Sequence, residues 1–162
     1  MFKKIFATAI VVFLLTGCGS DNASDKTSKG ELPKLDRSSD IAGPDENQNG
    51  IRDDIEAYIV ENYPDEKHKK ALFQYAKVKQ ASLLVDAADR LAAKKIGTQN
   101  SRALHCIFLR FDTKKGTENP DIVSDKIFSM TTNTKARLKA YLAYNKALDG
   151  TAWTLPEGDT CE

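Results

Sequence analysis

Apolar residues recur at helical spacing through most of the chain after residue 50, and this pattern limits the possible fold more than any other feature. Steps of three and four residues separate most of them, as on the buried face of an amphipathic helix. Valine, isoleucine and threonine do not form alternating runs, so strands are not indicated. The sequence therefore predicts an all-α fold, a small bundle of about five helices without an internal repeat.

Local signals predict where these helices begin and end. The first should end at Tyr63-Pro64, because the residue before a proline is driven out of the helical region. Asp65 is then expected to cap a long second helix that stops at Gly97. A third helix starts at Ser101. Asn119-Pro120 is predicted to start the fourth helix. A fifth helix should end at Asp149-Gly150, and its apolar residues are Leu138, Tyr141, Leu142, Ala143 and Leu148.

The N-terminus has the pattern of an export signal. Lys3-Lys4 is followed by an apolar stretch from Ile5 to Leu15 that is too short to span a membrane. The run Leu15-Thr16-Gly17-Cys18 then resembles the lipobox of bacterial lipoproteins. This resemblance implies that residues 1–17 are a signal peptide, that Cys18 carries a diacylglyceryl group on its sulfur, and that the new amino end is acylated. The alternative is an ordinary signal peptide with a cysteine near its cleavage site, which would leave a free secreted thiol.

The lipoprotein resemblance also implies a location. Gly19 follows the cysteine, where an aspartate would favour inner-membrane retention in enteric-type sorting. The implied place is the outer membrane, with the protein facing the periplasm and attached through its lipid. Without residues 1–17 the chain loses Lys3 and Lys4, so the 24 basic residues become 22 against 23 acidic ones. This balance gives no indication of a nucleic-acid partner.

Residues 19–44 differ in composition from the rest. Ser, Asp, Asn, Lys, Gly and Pro dominate, and Leu32, Leu35 and Ile41 are the only sizeable apolar residues. Such a segment cannot bury a core. We therefore predict a lipidated Cys18 with a flexible tether through residue 44, with an average reach of roughly 30 Å, followed by a helical domain over residues 45–162.

Two further cysteines, Cys106 and Cys161, would share an oxidising compartment, and an even pair there indicates one disulfide. The bond would close a loop of 55 residues, which is worth about 4 kcal/mol on the chain-entropy estimate. The alternative is a reactive Cys106 beside His105. Neighbouring helical residues point in different directions and no third orienting group is evident, so the disulfide is the better interpretation.

Residues 45–56 match the twelve-residue calcium-loop pattern D-x-[DN]-x-[DN]-G-x5-E at every required position. Calcium takes six to eight hard oxygen ligands from a chain that wraps tightly around it, and Gly50 would supply the sharp turn. The predicted ligands are the side chains of Asp45, Asn47, Asn49, Asp53 and Glu56 and the backbone carbonyl of Ile51. The sequence thus predicts one structural calcium ion as the only cofactor.

The loop resembles those of EF-hand proteins, and more closely the single calcium loops of secreted bacterial proteins. Gly43-Pro44 stands where an entering helix should be, Arg52 replaces the usual aliphatic residue at position eight, and no second loop follows. Few charged ligands indicate weak binding. The alternative is a polar turn in which Asn49 or Asp53 caps a helix.

The sequence leaves two classes of function open. The first is a binding module without catalysis, such as an immunity protein, an inhibitor or an envelope accessory, with a protein partner and an exposed aromatic patch near Trp153 or Tyr144. The second is an envelope hydrolase acting on cell wall or lipid, with Asp53, Glu56 or Asp86 as the acid. The sequence favours the first, because it shows no complete catalytic constellation. Residues 44–59 also resemble a segment of small uncharacterised exported proteins of proteobacteria, which implies no activity.

Overall fold

A computed structural model describes residues 34–154 and 156–162, and the predicted signal peptide and Cys18 lie outside them. The described residues contain five α-helices, a short 3-10 turn and no strand, which confirms the all-α prediction. None of these helices is long and apolar enough to cross a membrane. The elements are α1 (Asp53–Asn62), α2 (Glu66–Leu84), α3 (Arg90–Arg110), the turn Thr113–Lys115, α4 (Pro120–Thr131) and α5 (Lys135–Ala147).

Side-chain caps start most of these helices. The Asp65 carboxylate accepts the backbone N–H groups of Lys67 and His68 at the start of α2. Asn119 caps α4 with Pro120 in the first turn, as predicted. Each cap satisfies backbone donors that have no partner inside the helix.

The predicted break between the second and third helices was wrong. The chain leaves the helix at Val85, and α3 begins after Asp89 and runs through both Gly97 and Ser101. The Asp86 carboxylate accepts the N–H of Ala88, and Asp89 caps α3. Two aspartates that compete for backbone amides therefore end α2 earlier than the apolar pattern suggests.

Gly97 serves close packing instead of ending a helix. A Cβ atom at this position would lie 2.4 Å from two carbons of the Trp153 ring. Trp153 is 40% exposed and lies across α3 at the one residue that leaves room for its ring. The prediction that Gly97 ends a helix was wrong because the Trp153 ring, which requires a glycine here, lies 56 residues further along the chain.

The core is built around α2, which packs against each of the other four helices. Leu35 and Cys161 pack against the core, so the core that the described residues form lies between residues 35 and 161. A chain that begins at Gly19 therefore keeps all of it. The largest fully buried apolar side chains are Ile55, Ile59, Leu72, Ile107, Val123, Ile127 and Met130.

The predicted disulfide is confirmed. The sulfurs of Cys106 and Cys161 are 2.00 Å apart and join α3 to the C-terminal segment. Because its sulfur is bonded, Cys106 is not a free nucleophile, and His105 contacts the Thr160 hydroxyl instead, at 3.2 Å.

Residues 36–43, here called the strap, were predicted to belong to the flexible tether. In the structure, hydrogen bonds hold them against the helical domain. Arg137 of α5 is fully buried and donates hydrogen bonds to the carbonyls of Asp36, Asp40 and Ile41. Gln80 of α2 donates to the carbonyl of Ala42. The composition of the strap could not predict these hydrogen bonds, because most of them are accepted by backbone carbonyls, which every residue has.

Lys79 of α2 is also buried, as are Arg52 and Arg137. It is 7% exposed, and its Nζ lies 4.9, 5.2 and 5.5 Å from the ring centres of Tyr75, Phe128 and Tyr141. Among the described residues no carboxylate forms an ion pair with it. Burial lowers the pKa of the Lys79 amine to about 8.

Replacing Lys79 with methionine is expected to raise the free energy of unfolding by about 2 kcal/mol at pH 7. The change removes the cost of burying the charge and loses the weaker cation–π attraction. Because the folded-state pKa lies below the unfolded value, the unfolded chain binds more protons between about pH 8 and 10, and wild-type stability should rise with pH there. Urea unfolding at pH 7 and 9 measures both effects.

Lys70→Met is the matched control, since Lys70 lies on the same helix and is exposed. It should change neither the stability nor its pH dependence. The nearby tyrosines have raised pKa values, caused by burial, so their ionisation weakens the fold only above pH 10 and outside this window. A Lys79→Met variant less stable than wild type at pH 7 would show that the aromatic rings more than offset the burial cost.

Candidate functional site: the Asp45–Glu56 loop

The loop over residues 45–56 is wound by hydrogen bonds from its own side chains. The Asp45 carboxylate accepts the N–H of Asn49 at 3.1 Å and that of Gly50 at 2.9 Å. Asn47 and Asn49 each accept the backbone N–H two residues further on. Gln48 and Gly50 have φ of 56° and 85°, which provide the tight turn. The side chains at loop positions one, three and five therefore curl the backbone around a common centre.

Glu56 closes the loop from the first turn of α1. Its two carboxylate oxygens accept the side-chain N–H groups of Asn47 and Asn49, at 2.9 and 3.0 Å. The carboxylate at position twelve thus reaches back to positions three and five with both oxygens. The two asparagine oxygens each accept one N–H and keep a second lone pair.

The remaining predicted ligands lie at the base of the loop. Asp53 Oδ1 accepts the N–H of Glu46, and the Asp53 N–H donates to the carbonyl of Pro44. The Ile51 side chain is 4% exposed and belongs to the core, so only its backbone is available to the loop. The loop brings together Asp45, Asn47, Asn49 and Glu56, whereas Asp53 ties its two ends.

The predicted ligands combine the amide oxygens of two asparagines with carboxylate oxygens. Within residues 34–154 and 156–162, no three His, Cys, Asp or Glu side chains are grouped so that they could hold a metal ion. Asp45 and Glu56 are joined through the two asparagines instead. A ligand set of this kind suits a hard cation that accepts neutral oxygens, and does not suit zinc.

Arg52 at loop position eight connects the loop to the rest of the domain, a role that sequence reasoning missed. Its guanidinium is fully buried and donates to the Asp54 carboxylate at 2.6 Å and to the Met130 carbonyl at 2.9 Å. A Cβ at Gly43 would lie 2.4 Å from the Arg52 side chain and 2.8 Å from that of Arg137. The signal in the sequence was the arginine itself, at a position where calcium loops usually carry an aliphatic residue.

A cavity of about 760 Å³ lies between the strap and the start of α1, and three carboxylates line it: Asp36, Asp53 and Asp54. Each of them accepts hydrogen bonds from the protein. Hydrogen bonds from Arg137 and Ser38 lower the pKa of Asp36 to about 2. A general acid needs a raised pKa, which is the opposite of the shift at Asp36.

The other candidates lie apart from the loop. Asp86 is exposed in the turn before α3, where it accepts a backbone N–H, and it shares no hydrogen bond with Asp53 or Glu56. His68 stacks on Phe111 and contacts the carbonyl of Arg110. Tyr144, predicted as part of an exposed patch, is only 5% exposed. Asp86, His68 and Tyr144 therefore each have a role in holding the fold together.

Comparison with known proteins found no relative of this chain. No protein-family model, no curated protein and no solved structure matches the chain.

Proposed function

We propose that this protein is a calcium-stabilised binding module of the bacterial cell envelope, anchored by lipid at Cys18. The observation that carries the calcium assignment is the closure of the loop, in which both oxygens of Glu56 meet the side chains at positions three and five. The same side chains would supply oxygen ligands to calcium, and Glu56 would supply both of its own. The ion would fix the strap's end to the first turn of α1.

A structural role for the ion follows from its neighbours. Asp53 joins the loop to Pro44, and Arg52 joins it to the end of α4. Asp45, Asp53 and Glu56 all accept hydrogen bonds within the loop, which suits a role in holding it together. The ion would therefore stabilise the fold on which a partner is bound, and the partner is proposed to be a protein of the envelope.

Calcium is expected to bind the chain from Gly19 onward one-to-one with millimolar affinity or better, in the range of extracellular modules. At ten times the dissociation constant the ion stabilises the folded state by about 1.4 kcal/mol, which raises the melting temperature by roughly 4 °C. Calorimetric titration after chelator treatment, with parallel thermal melting, measures both. Glu56→Gln should remove the heat and the shift.

The control is Glu61→Gln, at an exposed position on the same helix, which should leave both signals intact. If wild type gives neither heat nor a shift at several millimolar calcium, residues 45–56 are a polar turn that caps α1. If Glu56→Gln binds as wild type does, the ion lies elsewhere.

The hydrolase alternative has less support. It requires a pair of neighbouring carboxylates, one of them held protonated. Asp86 is exposed and shares no hydrogen bond with Asp53 or Glu56, and the pKa of Asp36 is lowered by its hydrogen bonds. We therefore propose binding and not catalysis.

A further inference from the structure

The outward side of α5 has an unusual composition. Arg137 and Tyr144 are the buried residues of this helix. At about 100° per residue, the opposite arc carries two leucines and three lysines. Leu138 and Leu142 are 43% and 54% exposed. This arc, here called the α5 outer face, consists of Lys135, Leu138, Lys139, Leu142 and Lys146.

No acidic residue occurs on α5, so the charged residues of this helix that flank the exposed leucines are all lysines. The contrast with α4 is informative. Ile122 is 53% exposed, much like Leu142, but exposed aspartates at 121 and 125 stand beside it. Apolar side chains flanked only by lysines are typical of helices that lie on anionic membranes, where the lysines meet lipid phosphates and the apolar groups enter the headgroup region.

The N-terminal part of the chain joins the domain at the start of α5, on the side of the helix opposite the α5 outer face. Arg137, in the first turns of α5, donates to the Asp36 carbonyl at 2.7 Å. Cys18 precedes Asp36 by 18 residues, a length that can span at most about 60 Å. With the lipid of the proposed function at Cys18, the face would stay within this distance of the bilayer, so that weak binding would suffice.

We propose that the α5 outer face docks on the surface of an anionic membrane. Leu138 and Leu142 enter the headgroup region, and Lys135, Lys139 and Lys146 bind lipid phosphates. The half-buried Tyr141 and Phe128, whose ring centres are 4.8 Å apart, extend the apolar surface beside them. The proposal uses the proposed lipid anchor for proximity, but the face and its charges exist without it.

Vesicle sedimentation with the non-lipidated chain from Gly19 onward tests the proposal. One set of vesicles contains phosphatidylglycerol and phosphatidylethanolamine, and the other phosphatidylcholine alone, both in chelator so that calcium plays no part. Wild type should bind the anionic vesicles at least tenfold more strongly. Leu138→Ser with Leu142→Ser should reduce that binding about tenfold or more. Replacing the three lysines with glutamine should cost about fivefold for each and weaken the salt dependence.

Ile122→Ser is the matched control, with equal exposure but acidic neighbours, and should bind as wild type does. Far-UV circular dichroism and melting confirm that each variant is folded. Three results would overturn the proposal: equal binding to both kinds of vesicle, no difference between the leucine variants and the control, or self-association without lipid that the leucine variants abolish. The last would assign the face to a second copy of this chain. Because calcium is absent throughout, failure here is separate from failure of the calcium titration.

Discussion

Replacing both Cys106 and Cys161 with alanine is expected to lower the free energy of unfolding by about 4 kcal/mol. The disulfide closes a loop of 55 residues. Without it the unfolded chain gains conformational entropy, which stabilises the unfolded state. A domain of this size has a total stability of about 5–15 kcal/mol, so the loss is a large fraction of it. Urea unfolding of the chain from Gly19 onward gives the value.

The folded state should survive the replacement, because the C-terminal segment is held by more than the disulfide. Thr160 is 1% exposed; its hydroxyl donates to the Arg102 carbonyl at 2.8 Å, and its own carbonyl accepts from Gln74 at 3.0 Å. The main effect should therefore fall on the unfolded chain. Reduction of wild type with dithiothreitol should reproduce the loss.

Thr160→Val is the control that separates the two contributions. It removes the hydroxyl bond but keeps the disulfide, and should cost only about 1 kcal/mol. If the double alanine variant were as stable as Thr160→Val, the disulfide would add nothing beyond attachment of the segment. The 55-residue loop would then be restricted even without the bond.

The parts of the fold that could be predicted from sequence are those fixed by local chemistry. Asp65 and Asn119 cap their helices because each side chain meets backbone donors two or three residues away. The calcium-loop pattern predicted that Asp45, Asn47, Asn49 and Glu56 converge, and hydrogen bonds join these four. The pairing of Cys106 with Cys161 followed from the number of cysteines and from the predicted oxidising compartment.

Features decided by distant residues could not be predicted. Gly97 was taken for a helix end because the Trp153 ring that it accommodates lies far along the chain. Two of the residues that predicted the fifth helix, Leu138 and Leu142, are exposed, while its buried positions are Arg137 and Tyr144. An arginine at a core position conflicts with the hydrophobic pattern, and only the strap's carbonyls explain it.

Replacing Arg137 with methionine is therefore expected to cost about 3 kcal/mol or more, because it removes several hydrogen bonds from a buried charged group, each worth about 1.5–3 kcal/mol. Methionine fills a similar volume, but the carbonyls of Asp36, Asp40 and Ile41 and the carboxylate of Asp36 lose their common donor. This contrasts with Lys79→Met, which removes a buried cation that has no hydrogen-bonded acceptor. Arg137 and Lys79, two of the three buried cations, thus have opposite expected effects on stability, and the polar groups around each decide the sign.

The pH dependence gives an independent test of the same contact. The Arg137 hydrogen bond lowers the pKa of Asp36 to about 2, below its value in the unfolded chain. The contribution of this pair is therefore fully present above about pH 4 and is lost as pH falls toward 2. Wild type should lose stability across that window by more than Arg137→Met does. Urea unfolding at pH 6 and pH 3 measures the difference.

Hydrogen exchange shows whether the strap is the segment that responds. In Arg137→Met the backbone amides of residues 36–43 should lose protection, while those of α3 should change only with global stability. Lys139→Met, an exposed position on the same helix, should leave the protection, the stability and the acid response unchanged. Unchanged strap protection in Arg137→Met would mean that Gln80 and Asn133, which donate to the carbonyls of Ala42 and Asp36, suffice to hold the strap. The buried arginine would then stabilise the junction of α4 and α5 instead.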